Sequence, residues 1–515
     1  MTKYFTLILI GFLHNLLIIT FLSANSNPRQ LDSLIIQGKQ QFYNLNVNNA
    51  RKTFDLIKKE YPDYPHGYFY EAYLTLIGWS QDMTNDSLTT VLQQQVDQAI
   101  DIADKYKESY QDDNDANFHL GLCYGIKGIY QTVNRNYLKT YWYGRKAKGY
   151  LEDVVKADST YYDAYLGLGI FLYYVDLMPG VVKFFAGILG FHGDREKGRN
   201  EIYLTSTNGR YFKEEAYFTY YIIKYFLEGD KQNAVIKLKK MGERYPANPA
   251  IKLMLAYHYR RSGDLKQCIK YCRAIPDSFL YTLPQIVDSK YYNLAVSHFT
   301  QNQFHKSDSL FDELIELPTR KSPYYQAAIR YYKGLLAKLN FDEQKAFRYH
   351  KYVISSRQTQ YWYSLTQMYL KYSMDSLMYQ QIYNRNLLYN RNYQNSLKKA
   401  LELKARIKSL NNFENPNQPY LIVDLIAENY FFQRQFRLAK ETYNEIIPYL
   451  DKMEDEFRKS WIYIHYAKCL RELGDYNTAE KMLNYAHKYD DDFTRLIISR
   501  EKYLVNQLKE RKKKV

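Results

Sequence analysis

The sequence predicts an all-α protein, a right-handed superhelical solenoid built from paired helices. Small and large residues recur at fixed positions in windows of 34 residues along most of the chain. Gly and Pro number only 22 and 13 in 515 residues, which is lean for a protein rich in β-structure. One such window cannot bury its own apolar face, so successive windows must stack into a continuous core.

The repeat is defined by its spacing. Small residues stand at repeat positions 8 and 20, large apolar or aromatic residues at 11 and 24, often Gly at 15, and Pro near 32. Small residues let two antiparallel helices approach closely, and large residues fill the space between repeats. Gly at position 15 is expected in the turn between the helices, because it tolerates positive φ. We predict structural roles at repeat positions for Gly38, Ala50, Ala234, Ala256, Gly263, Ala295, Ala346, Ala427, Ala439, Ala467, Gly474 and Ala479.

Seven windows share this spacing, and they begin at residues 31, 215, 249, 288, 327, 420 and 460. Together they resemble the tetratricopeptide repeat (TPR) family over most of residues 31–490. The resemblance implies an α-solenoid whose concave face binds peptides or protein segments. It implies no catalysis.

Residues 1–26 are expected to direct export. A single Lys precedes an apolar stretch over residues 4–22, and Ala24 and Ser26 place small residues at −3 and −1 of a cleavage site. We therefore predict a cleaved signal peptide and an exported protein of the periplasm or cell envelope. Because the stretch approaches the ~20 residues that span a bilayer, an uncleaved N-terminal anchor is the alternative.

The rest of the chain divides into four segments. Residues 27–357 are predicted to form the main TPR-like solenoid, and residues 416–493 to form the C-terminal repeats. Residues 358–415 lose the spacing and are expected to be irregular, with one long polar helix over 374–411. Residues 494–515 are expected to form a solvated basic helix or tail.

An apolar insertion at residues 177–192 interrupts the repeats. Pro179 and Gly180 break any continuous helix, so the insertion is not a simple membrane span. We expect a loop packed on neighbouring helices, with a flap over a ligand or into a membrane interface as the alternative. The segment 170–200 is similar to one in TPR proteins of the inclusion-body-clearance type. The residues proposed to touch a partner or membrane are Phe184, Phe185, Ile188, Leu189 and Phe191.

Charge and aromatic content indicate the kind of partner. The chain carries a formal net charge of +16 and contains 57 Tyr. The charge favours acidic proteins, polyanions or an anionic membrane surface. Most Tyr fall at helical spacing and are expected between repeats. The resemblance to the TPR family implies that a subset on the first helix of each repeat faces the binding groove, where Tyr suits peptides and also glycans.

The sequence lacks the motifs of common catalytic and metal sites. It has no Gly-rich phosphate loop followed by Lys-Ser/Thr, no His-Glu-x-x-His and no Gly-x-Ser-x-Gly. Cys268 and Cys272 lie one helical turn apart, but no second pair completes a zinc site, so we expect them in the core. We therefore predict no enzyme activity, no catalytic residue, no metal and no cofactor.

These observations predict an exported, non-catalytic scaffold that binds extended protein segments in the groove of its repeats. One alternative is an exported protein that binds glycans or acidic polymers through groove tyrosines. A second is a peripheral membrane tether that acts through residues 177–192. Because the protein is expected to be exported, we expect no nucleic-acid partner. No motif identifies the protein partner.

Overall fold

The protein is an array of paired helices. The structure, a computed structural model, describes residues 28–83, 85–110, 113–177, 192–281, 283–356, 358–408, 413–489 and 492–514. Within these ranges every regular element is a helix, so the predicted all-α class is confirmed. The chain divides into two compact units, an N-terminal unit up to Ile251 and a C-terminal unit from Lys252.

The helices of the N-terminal unit form five successive pairs. They are α1 (Pro28–Tyr43), α2 (Val47–Glu60), α3 (Pro65–Gln81), α4 (Asp86–Ser109), α5 (Asn114–Val133), α6 (Tyr137–Ala157), α7 (Ala164–Asp176), α8 (Arg195–Asn208), α9 (Lys213–Phe226) and α10 (Lys231–Arg244). The boundary between the units falls within α11 (Pro249–Arg261).

The C-terminal unit continues the same arrangement, with α17 as a single helix between pairs. Its further helices are α12 (Leu265–Arg273), α13 (Pro284–Thr300), α14 (Phe304–Glu316), α15 (Pro323–Leu339), α16 (Glu343–His350), α17 (Gln360–Lys371), α18 (Ser376–Tyr389), α19 (Tyr393–Ile407), α20 (Gln418–Phe432), α21 (Phe436–Asn444), α22 (Glu456–Glu472), α23 (Tyr476–Ala486) and α24 (Asp492–Lys514). Short 3₁₀ turns cover Asp277–Tyr281, Ile447–Lys452 and His487–Tyr489.

The turns of nine helix pairs share one backbone geometry. Arg135 and Arg391 have φ of 57° and 62°, and the residue at repeat position 15 has φ between 58° and 82° in all seven windows. After the turn residue, a backbone N–H bonds back to a carbonyl five residues earlier, as from Asp475 to Leu470 at 2.9 Å. The turn residues of the windows are Leu45, Gly229, Gly263, Asn302, Phe341, Arg434 and Gly474.

Helices α7 and α8 touch backbone to backbone, although the insertion separates them in sequence. A Cβ on Gly169 would lie 2.6 Å from the carbonyl oxygen of Gly198, and a Cβ on Gly198 would lie 2.5 Å from that of Gly169. Any larger residue at either position must push the helices apart. The two glycines therefore allow this pair to form.

The prediction of one long polar helix over residues 374–411 is wrong. The chain forms the pair α18 and α19 there, with Arg391 in the turn. The repeat was hidden because Asn384 occupies position 8, where a small residue was expected. Asn384 is nonetheless buried, and its backbone carbonyl accepts a hydrogen bond of 3.2 Å from the hydroxyl of Ser396 at position 20.

The C-terminal helix α24 is packed on one face, whereas a solvated helix was expected. Ile498 and Val505 are buried in the core of the last repeats. The buried carboxylate of Glu501 lies 3.2 Å from Arg471 on α22 and 2.8 Å from Arg500. This helix covers the apolar face that the last pair would otherwise expose, as terminal helices of repeat proteins do.

Candidate functional site

Most of the predicted repeat-position residues lie in the packing between helices, whereas Gly263 and Gly474 lie in turns. All nine alanines among them are at most 1% exposed. A Cβ on Gly38 would collide with the ring of Phe54. These positions hold the helices that carry the exposed surfaces, and they leave no room for a ligand.

Several tyrosines of the predicted clusters lie in the packing between helices, where most tyrosines were expected. Tyr70, Tyr73, Tyr221 and Tyr225 are buried within the N-terminal unit. The ring of Tyr70 stacks on that of Phe54, with 5.1 Å between the centroids. Stacked and edge-to-face rings of this kind stabilise the packing between repeats.

The insertion residues proposed to touch a partner or membrane lie outside the described residues. They are Phe184, Phe185, Ile188, Leu189 and Phe191. Of the insertion, the structure describes only Leu177 and His192. Contact through this segment therefore stays a prediction.

A buried ion pair joins α1 to α9 in the N-terminal unit. Lys39 Nζ lies 3.4 Å from Glu215 Oε1 and donates a hydrogen bond to the carbonyl of Tyr211 at 2.5 Å. The hydroxyls of Tyr43 and Tyr73 each donate to Glu215 Oε1 at 2.8 Å. Burial lowers the pKa of Lys39 to about 8, which the charge of Glu215 offsets only in part, and raises the pKa of Glu215 to about 7. Because both groups are buried and paired, they hold the unit together and offer no charge to a ligand.

A second buried charge network links three repeats of the C-terminal unit. Asp424 and Glu428 on α20 are buried, and Arg385 on α18 contacts them at 3.2 and 2.9 Å. Arg458 on α22 contacts both as well, with 2.6 Å between Nη2 and Glu428 Oε2. The two carboxylates neutralise the two guanidinium groups, so this network also serves the packing of repeats.

A basic cavity opens between α14, α15 and α16 of the C-terminal unit. Its volume of about 590 Å³ is in the range of ordinary ligand-binding clefts. Four of its nine lining residues are cations, and none is Asp or Glu. The lining residues are Ile315, Arg320, Lys321, Gln326, Ile329, Arg330, Arg348, Tyr349 and Tyr352.

The cations of the basic cavity are held in different ways. Lys321 Nζ lies 3.3 Å from the buried carboxylate of Asp288, which ties the loop before α15 to α13. Arg330 Nη1 donates to the carbonyl of Tyr352 at 2.9 Å, and its guanidinium lies 5.9 Å from the centre of the Tyr352 ring. Arg348 is exposed and forms an ion pair with none of the described carboxylates. The cavity therefore presents an excess of positive charge to solvent.

Exposed apolar side chains border the basic cavity. Ile315 and Tyr352 in its lining are 46% and 56% exposed, and nearby in sequence Phe347 and Ile354 are 56% and 68% exposed. Cations interleaved with exposed apolar groups match a segment that carries both carboxylates and apolar side chains. No pattern in the sequence predicts this site, because its residues come from three helices and form no motif.

The described residues hold no cluster of three His, Cys, Asp or Glu side chains able to bind a metal ion. All four Cys are buried and unbridged. In the part of the chain that the structure covers, no helix has the length and apolarity to cross a bilayer.

Comparison with known proteins identifies the type of repeat. Residues 163–360 match the model of the family described as Iml2/Tetratricopeptide repeat protein 39. The match covers the segment 170–200, on which the local resemblance was based, and the whole basic cavity. No curated protein matches the chain.

Similar solved structures are distant in sequence. A tetratricopeptide repeat protein from Parabacteroides merdae is 14% identical, with 54% of this chain and 94% of that chain covered and a TM-score of 0.24. Yeast Tom70 is 11% identical, with 94% and 96% covered and a TM-score of 0.23. Sequence identities and TM-scores this low support no inference about the fold or the function of this chain.

The fold class therefore rests on the helices themselves and on the match to the family model. A helical repeat protein of this type indicates a role in protein–protein interaction. The match and the turn geometry common to nine helix pairs together confirm the resemblance seen in the sequence. The chain is an all-α protein of paired helices, and residues 163–360 are similar to a family of tetratricopeptide repeat proteins.

Proposed function

We propose that the chain is an exported, non-catalytic scaffold that binds extended, acidic segments of partner proteins in the basic cavity. The observation that carries the proposal is the lining of that cavity, with four cations and no carboxylate. Export is supported by the N-terminal sequence, with its apolar stretch and small residues at the cleavage site.

The chemistry of the cavity favours a segment that combines acidic and apolar residues. Guanidinium groups bind carboxylates through two parallel hydrogen bonds, and Arg348 and Arg330 are the groups placed to do so. Ile315 and Tyr352 offer apolar surface beside them. An extended segment points alternate side chains to opposite sides, so the carboxylates at every second residue can all face the cations of the cavity.

The test is the affinity for a labelled 12-residue peptide in which Asp alternates with Leu, measured by fluorescence anisotropy on the full chain. We expect Arg348→Glu to weaken binding at least tenfold, or about 1.4 kcal/mol, because it replaces attraction by repulsion at the cavity. A peptide with Lys in place of Asp should not bind.

The matched control is Lys398→Glu on α19, an exposed cation of the same unit with the same change of net charge. If both variants bind like the wild type, or weaken binding equally, the basic cavity is not the site. A polyuronate chain that displaces the peptide and binds more tightly would instead favour the acidic-polymer alternative.

A further inference from the structure

The end of the α5–α6 pair exposes an apolar patch on the N-terminal unit. Tyr137, Leu138 and Trp142 at the start of α6 are 61%, 69% and 55% exposed. Leu138, Trp142 and Arg145 stand at i, i+4 and i+7, so they share one face of the helix. Fully covered aromatic side chains each bury about 150–250 Å², so the patch leaves a large apolar surface in contact with water.

The same end of the hairpin carries only positive charge. Residues 116–151 contain no Asp or Glu. Their six cations are Lys127, Arg135, Lys139, Arg145, Lys146 and Lys148. Two of them are neutralised further along the helices, Lys127 by Asp97 and Lys148 by Glu152.

The cations nearest the turn keep their charge available. Arg135, Lys139, Arg145 and Lys146 are exposed, and none forms an ion pair with a described carboxylate. Lys146 donates instead to the hydroxyl of Tyr124 at 3.2 Å, and Arg145 to that of Tyr141 at 3.3 Å.

The hairpin end is firmly built. Arg135 adopts the positive φ of the repeat turn, and the Asn136 side chain accepts a hydrogen bond from the backbone N–H of Lys139 at 3.3 Å. Thr132 Oγ1 donates to the carbonyl of Gly128 at 2.8 Å, and that glycine lies against Gly144 across the pair. The exposed side chains are therefore presented from fixed helix ends.

Exposed Trp, Tyr and Leu side chains among cations match a lipid surface. Trp and Tyr are enriched where protein meets the bilayer interface, and Lys and Arg are attracted to anionic headgroups. An acidic protein segment would find cations lining a cavity in the C-terminal unit. At the hairpin end, by contrast, Tyr137, Leu138 and Trp142 are each more than half exposed, as side chains that enter a lipid interface must be.

We infer that the hairpin end, residues 134–146, is a docking site for an anionic lipid surface. Leu138, Trp142 and Tyr137 enter the headgroup region, and Arg135, Lys139 and Arg145 contact lipid phosphates. This site is separate from the proposed binding of acidic segments, because the basic cavity belongs to the other unit.

The indole of Trp142 offers a local probe, because Trp79 and Trp362 are buried and Trp461 is partly buried. We would mix the full chain with vesicles of phosphatidylcholine alone or with 30% phosphatidylglycerol, using brominated acyl chains as quenchers. We expect a blue shift and quenching of tryptophan emission with the anionic vesicles only. Trp142→Phe should abolish the quenching, and 0.5 M salt should weaken the binding.

The matched pair of variants is Leu138→Glu and Val91→Glu, since Val91 is 42% exposed on α4 of the same unit. We expect Leu138→Glu to lower the vesicle partition coefficient at least tenfold and Val91→Glu to leave it unchanged. Vesicle binding without quenching, or equal binding of both variants, would place the contact in another segment and overturn the inference. So would binding of polyglutamate at Trp142 without binding of anionic vesicles, because the occupant would then be an acidic polypeptide.

Discussion

Single residues decide how the N-terminal unit is held together. Lys39 and Glu215 lie far apart in the sequence, and neither stands at a position where the repeat spacing predicts charge. No pattern in the sequence pairs them, because the contact depends on how several repeats fold back on one another. Their burial beside Tyr43 and Tyr73 is visible only in three dimensions.

The buried pair gives a prediction about stability. Lys39→Met leaves the Glu215 carboxylate buried without its cation, and Glu215→Gln leaves the ammonium group without its anion. Each single variant should lower the free energy of unfolding by about 3–5 kcal/mol, whereas the double variant should recover most of this loss. Urea denaturation of the four proteins measures the coupling, and additive losses would show that the pair does not interact.

The same set of proteins tests the pH dependence. The folded pKa of Glu215, about 7, is above its ordinary 4.5, so its contribution to stability is complete below pH 4.5 and is lost as pH rises through 7. The folded pKa of Lys39, about 8, is below its ordinary 10.5, so its contribution is present above pH 10.5 and is lost as pH falls through 8. The stability of the wild type relative to the double variant should therefore be lowest between pH 7 and 8 and should rise toward pH 4.5. A difference that stays constant from pH 5 to 8 would refute this assignment.

At the scale of the helix pair, the sequence predicts the turn better than it predicts the number of pairs. Gly263 and Gly474 predict the turn between the two helices of their pairs. The windows that lack Gly at position 15 adopt the same positive φ. The spacing did not predict the pair α18–α19, because Asn384 replaces the expected small residue at position 8. The turn of this pair nevertheless has the same positive φ as the others. Spacing rules detect side-chain size, whereas a larger polar residue can be buried at the same position, as Asn384 is.

The turn geometry gives a prediction with internal controls. Gly474 has φ +82° and no atom within 4 Å of a Cβ, so Gly474→Ala should cost about 1–2 kcal/mol through backbone conformation alone. Gly263 has φ +81°, and its Cβ would lie 2.6 Å from the carbonyl of Tyr389, so Gly263→Ala should cost more. Arg434→Gly, at a φ of 62°, should leave stability unchanged or raise it. Thermal unfolding of the three variants measures this order, and a harmless Gly474→Ala would contradict it.

At the scale of the molecule, stacked pairs create two surfaces that no single repeat contains. The basic cavity needs three helices of the C-terminal unit, and its cations stand in a chain whose positive charge is spread over its whole length. Composition therefore predicted an acidic partner, while the place of contact emerged only from the packing of α14, α15 and α16. The sequence likewise did not predict the exposed aromatic residues at the end of α5–α6, because many other tyrosines at similar spacing are buried in the core.

The most direct test of the scaffold proposal is hydrogen exchange of the full chain, followed by mass spectrometry, with and without the saturating Asp-Leu peptide. We expect slower amide exchange confined to residues 315–352, around the basic cavity, and no such slowing in the Arg348→Glu variant. A bound peptide that leaves residues 315–352 unprotected and slows exchange elsewhere would contradict it.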